Sequence, residues 1–136
     1  MSPTLFTLTA FIAWALFLLV LMEAMRSNLV LTRQVAPTGF TPDNAGLSPF
    51  MQRLARAHAN CLEGLPIFGG LMLVALVSER TAVTDPLAYA FLAARGLQSV
   101  THLASASAAA ITLRFTFFVV QMVIGVVWTW GLLAAG

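Results

Sequence analysis

Arg53-Leu54-Ala55-Arg56-Ala57-His58-Ala59-Asn60-Cys61-Leu62-Glu63-Gly64-Leu65-Pro66 leads without a break into residues 67–77, an apolar run of membrane grade. On a helix at ~100° per residue, Arg53, Arg56, Asn60 and Glu63 fall within about 80° of one another. One stripe of a membrane helix is therefore strongly polar. Ionisable groups inside a bilayer cost about 2.5–3.5 kcal/mol each on insertion scales, so partners must compensate them. Residues 65–77 are too few to span alone, since a span needs roughly 20 apolar residues. The polar stripe must be part of the span and must face protein rather than lipid.

Composition agrees with this reading. Sixty per cent of the 136 residues are hydrophobic and 9% are charged, against about 25% charged in a soluble domain. The length suits one domain, residues 1–136. A formal charge of +2 gives no basic surface for nucleic acid. The one cysteine, Cys61, cannot form an internal disulfide and reads as a small packing residue. The first residues, Met1-Ser2-Pro3-Thr4, lack the basic side chain of a signal peptide, so the following apolar run is read as a retained helix.

The fold class expected is all-α: a bundle of four transmembrane helices at about 4–26, 48–77, 86–110 and 111–134. Pro86 suits a first helical turn with Asp85 as its cap. The third connection is the least defined, because residues 104–110 hold only alanine and serine. Loop one, residues 27–47, carries Pro37, Gly39, Pro42 and Gly46, and Thr41-Pro42-Asp43-Asn44 reads as a turn. Arginines concentrate at loop one and near loop three. The positive-inside rule then puts both loops in the cytoplasm and both termini outside.

Helix three carries a matching stripe of Arg95, Gln98, His102 and Ser105, also about 80° wide. With a rise of ~1.5 Å per residue, Glu63 and Arg95 both lie ~22 Å from the cytoplasmic ends of antiparallel helices. They are expected to pair, within a subunit or across a boundary. Glu23 is expected to pair with Arg26 at i, i+3. The arginines that remain exceed the carboxylates and suit an anionic ligand, because a guanidinium grips a carboxylate by a two-pronged fork. Arg26, Arg53 and Arg80 read as side chains that snorkel to lipid phosphates. Arg56 and Arg95, lying deeper, read as site residues. Arg114 fits either role. His58 and His102 lie at depths that would permit bis-histidine haem ligation, a weak signal from two residues. No further ligand is at hand for a metal site.

The run Arg53-x-x-Arg-Ala-His-x-Asn-x-x-Glu with Pro66 resembles the MAPEG family, the membrane-associated proteins in eicosanoid and glutathione metabolism. It is most similar to the glutathione-dependent prostaglandin E synthase branch and its bacterial relatives. Phe40-Thr41-Pro42-Asp43, Arg95 and Leu113-Arg114 extend the likeness over essentially the whole chain. The resemblance implies a homotrimeric four-helix bundle that binds glutathione as co-substrate between subunits. It implies that Arg56, Asn60 and Glu63 contact glutathione, that Arg95 fixes Glu63 and the ligand, and that Arg33 reaches in from a neighbour. Arg114 would be catalytic, beside the sulfur, where a guanidinium favours thiolate. A lipophilic substrate would arrive from the membrane lipids, and a bacterial-type member would sit in the inner membrane. Relatives carry tyrosines where this chain has His102 and Phe117-Phe118. His102 can still donate a hydrogen bond to glutathione. The departure also motivates an alternative: a non-catalytic trimeric scaffold or accessory subunit holding lipid or another anion.

Overall fold

A computed structural model describes residues 1–135, and among these all regular structure is helical. Four long helices follow one another: α1 (Pro3–Leu31), α2 (Pro49–Val77), α3 (Thr81–Ala104) and α4 (Ala108–Ala134). Three begin alike. Ser2, Ser48 and Ser107 each accept the backbone N–H three residues on, from Leu5, Met51 and Ala110. Such caps satisfy donors that the first turn cannot. Pro3 and Pro49 follow two of them, at the position where a missing N–H costs nothing.

The boundaries differ from expectation in three places. α1 continues through Arg26 to Leu31. α3 starts at Thr81, so Pro86 lies within it and Asp85 is not a cap. Instead Asp85 Oδ1 accepts from the Thr4 backbone N–H (3.0 Å) and hydroxyl (2.5 Å). Because that hydroxyl donates to a carboxylate, the Thr84 hydroxyl must donate to it in turn, at 2.6 Å. This clasp ties α1 to α3 at one end. Finally, α3 stops at Ala104; Ser105 is extended and Ser107 caps α4, so the chain turns earlier than residue 110. Ser105 therefore leaves the polar stripe of its helix.

Within α2, residues Leu65–Gly69 form a π-turn. Pro66 has no N–H to offer the preceding turn, and in a regular helix interior it would cost about 3 kcal/mol. The widened turn accommodates it, as such bulges do at functional places.

α3 is the hub. Phe91, fully buried, meets one aromatic ring from each other helix: Phe11 of α1 (centroids 5.7 Å apart), Phe68 of α2 (5.0 Å) and Trp128 of α4 (5.4 Å). Between membrane helices the lipid tails remove most of the hydrophobic drive, so close packing of such rings holds the bundle. Outside, Leu16, Val20, Val123 and Val127 are exposed, as lipid-facing side chains should be. α1, α2 and α4 are long and apolar enough to cross a membrane. α3 is more polar, and it buries Arg95, Gln98, Ser99 and His102 against its neighbours.

Candidate functional site

The polar stripes of α2 and α3 meet, but not in the expected pairing. Arg95 is only 1% exposed. Its Nη1 donates to the Asn60 backbone carbonyl (3.2 Å) and its Nη2 to Asn60 Oδ1 (2.5 Å) and Gln98 Oε1. Its guanidinium also lies over the Phe11 ring, 5.5 Å from the centroid, a favourable place for a cation.

Within the chain Glu63 does not pair with Arg95. Among the described residues the one ion pair is Glu23–Arg26, at 3.2 Å, which was expected. Depth alone suggested the Glu63 pairing; helix phase forbids it. Glu63 lies about 60° from Asn60 around α2, while Gly64 lies about 40° to the other side. Arg95 approaches on the Gly64 side, where a Cβ at residue 64 would stand 3.2 Å from Nη1. The absent side chain gives the guanidinium its room.

Glu63 instead faces outward, beside Asn60, at the polar end of a groove of about 680 Å³ between α2 and α4. Phe68, Leu71, Met122 and Trp130 make the rest of it apolar. Phe68 lies so close to α4 that a Cβ at Gly125 would be 2.8 Å from its ring.

Two amides complete the cluster. Gln98 Oε1 accepts a second bond from Gln121 Nε2 (2.7 Å), which also donates to the Phe117 carbonyl (3.1 Å). Arg95 of α3 is thus held by Asn60 of α2 and, through Gln98, by Gln121 of α4. Gln98 was read as part of the stripe but given no role, and Gln121 was missed. A lone amide in the apolar run of α4, seven residues after Arg114 and so on nearly the same face, is the signal that could have found it.

The second arginine of interest, Arg114, lies 3.2 Å from His102 Nδ1 through its Nη1. Arginine only donates, so Nδ1 accepts and the neutral ring carries its proton on Nε2. Arg56 is exposed on α2, one turn before Asn60, and Arg33 is exposed beyond α1 with a left-handed φ of 58°. The structure thus gathers Asn60, Arg95 and Gln98, sets Glu63 beside them, and joins His102 to Arg114. It leaves Arg33 apart.

Two arginines read as lipid-facing are tied to the protein. Arg53 Nε donates to the Leu103 carbonyl (2.8 Å), a bond open to it because α3 ends there. Arg26 is bound to loop one: its Nε and Nη2 donate to Asn44 Oδ1 (2.9 and 2.6 Å), and Nη2 also to the Thr41 carbonyl (3.1 Å). Asn44, wholly buried, donates onward to the Met51 carbonyl (2.7 Å) and closes the expected turn through its N–H to Thr41 (3.0 Å). Cys61 is buried beside Ser99, its Sγ 3.4 Å from the hydroxyl, in keeping with a packing role. His102 Nδ1 accepts from Arg114, so that nitrogen is not free to ligate haem.

Compared with known proteins, residues 4–134 match the model of the MAPEG family. Neither the curated proteins nor the solved structures give a match.

Proposed function

Because this chain belongs to the MAPEG family and three of its helices are long and apolar enough to cross a bilayer, it is an integral membrane protein, and we propose that it is a glutathione transferase acting on lipophilic electrophiles. The family includes glutathione transferases and related proteins. One observation carries the reading. Arg95 is buried with neutral acceptors only, and the Asn60 that it holds stands at the head of an apolar groove. A desolvated cation without a counter-charge attracts an anion strongly. Glutathione brings two carboxylates and a thiol.

In this reading all four helices cross the membrane, α3 by keeping its polar face inside the bundle. The arginine distribution sets the site toward the cytoplasm. Arg56, Asn60 and His102 Nε2–H bind the peptide, and Glu63 takes its ammonium group. Arg95 supplies charge from behind, and Arg33 of a neighbouring subunit closes the site in a homotrimer. Arg114 holds the sulfur as thiolate by lowering the thiol pKa. The sulfur lone pair forms the new S–C bond with an electrophile lying in the groove, and the leaving group departs with its bonding pair.

The Arg114–His102 contact favours a second reading, in which that guanidinium is structural and the protein is a non-catalytic trimeric scaffold or accessory subunit holding lipid or another anion. Purified protein assayed with glutathione and 1-chloro-2,4-dinitrobenzene separates the two. Turnover that Arg114→Ala abolishes supports the transferase. Turnover that survives the change rejects Arg114 as thiolate stabiliser. Saturable glutathione binding with no turnover of any electrophile supports the scaffold.

A further inference from the structure

The side chain of Asn60 has two ends, and the structure fixes which one looks inward. Oδ1 accepts from Arg95 Nη2. The amide Nδ2, on the other branch of the same planar group, is thereby turned away from Arg95, and Asn60 lines the groove. A rotation of 180° would bring two donors face to face, because a guanidinium offers no acceptor. Arg95 therefore sets Asn60 as a donor toward whatever lies in the groove head.

Arg95 is itself set from further back. Gln98 Oε1 accepts from Arg95 Nη2 and from Gln121 Nε2 at once. Gln121 can donate there and to the Phe117 carbonyl only with its amide nitrogen on that side. Its own Oε1 is left buried without a partner, so the orientation is held at some cost. Without that donor, Gln98 keeps its oxygen toward the guanidinium but loses the tie to α4 that fixes where that oxygen sits.

We infer that Gln121 and Gln98 are positioning residues, a buried amide relay that acts through Arg95 to present Asn60 Nδ2–H to a carboxylate or carbonyl of the bound peptide. This rests on glutathione being the ligand. Neither glutamine touches it.

A double-mutant cycle in glutathione affinity, read by calorimetry on the detergent-purified full chain, tests the relay. Gln121→Leu is expected to weaken glutathione binding about tenfold. Asn60→Ala removes the amide that the relay orients and adds no charge beside Arg95. In that background Gln121→Leu should change the affinity by less than about twofold. Its effect on the melting midpoint should be the same in both backgrounds, since a structural cost does not depend on the donor. Equal losses of affinity in both backgrounds would overturn the relay. Should Gln121→Leu not fold, Gln98→Asn and Gln98→Leu decide the matter: the first keeps a neutral amide oxygen for the two donors and should bind glutathione more tightly than the second. The reverse order overturns the inference. Wild-type protein that binds no glutathione removes both this inference and the transferase reading. Wild-type binding with an additive cycle removes the relay alone.

Discussion

Arg26 and Arg95 are both withdrawn from solvent and both grip an asparagine, yet they are opposite kinds of site. Arg26 is satisfied by its own chain: a carboxylate from Glu23, a double bond to Asn44 Oδ1 and the Thr41 carbonyl. Arg95 is more deeply buried and has only neutral oxygens, and its Nε–H has no acceptor. The first is a finished strut between the end of α1 and the start of α2. The second is an unfinished charge behind Asn60, which stands at the head of an apolar groove. Where a chain supplies a counter-ion, an arginine holds structure together. Where it withholds one, the desolvation penalty is left for a ligand to offset.

The comparison is broken most directly by removing each arginine. Arg95→Met is expected to lower glutathione affinity about a hundredfold or more, near 2.7 kcal/mol. Arg26→Met should leave that affinity within about twofold while lowering unfolding stability by about 1–3 kcal/mol, because the buried Asn44 Oδ1 loses its donor and the Thr41 carbonyl keeps only the Asn44 N–H. If Arg26→Met weakened binding as much as Arg95→Met, the division between strut and site would fail.

Arg114 sharpens the contrast from the chemical side. Arg114→Ala should spare glutathione affinity but move the profile of thiolate formation by bound glutathione, read by ultraviolet absorbance, up by about one pH unit. Its sign follows from the charge: without the guanidinium the thiol binds its proton more tightly, so thiolate forms only at higher pH. An unshifted profile would remove Arg114 from the chemistry. Gly125→Ala probes the groove floor. Its new methyl meets the Phe68 ring at 2.8 Å, an overpacking cost of about 1–3 kcal/mol in thermal unfolding.

The smallest effect lies in loop one. Hydrogen bonds from the Thr41 hydroxyl and the Ala45 N–H hold the Asp43 carboxyl below its ordinary pKa of 3.8. Its small contribution is present above 3.8 and is lost as pH falls through the lowered value. The melting difference between wild type and Asp43→Asn should therefore shrink as the solution is acidified below that point. A difference independent of pH would contradict it.

Much of this was legible in the chain, and the failures have physical causes. The clash between an apolar run and the Arg53–Glu63 stripe announced a membrane helix with a polar inner face. Spacing placed Glu63 and Arg95 near one depth, and Asn60 lies within one turn of Glu63. What depth could not give was phase: 60° of rotation separates Glu63 from Asn60, and that rotation exchanges an ion pair for an amide contact. The π-turn at Leu65–Gly69 was hidden because Pro66 fits equally well with a kink, a break or a widened turn. The α3–α4 turn was blurred by alanines, although Ser107 ahead of three of them was a usable cap signal. Arg26 and Arg53 looked lipid-facing because their acceptors, Asn44 and the Leu103 carbonyl, come from loop folding and from a helix end, neither of which periodicity registers.

The central claim is that the charge of Arg95 is completed by glutathione. A calorimetric titration of glutathione into purified wild-type protein tests it most directly. Saturable binding at millimolar or lower concentration, lost in Arg95→Met and kept in Arg26→Met, is the expected result. No saturable heat with folded wild-type protein would contradict it.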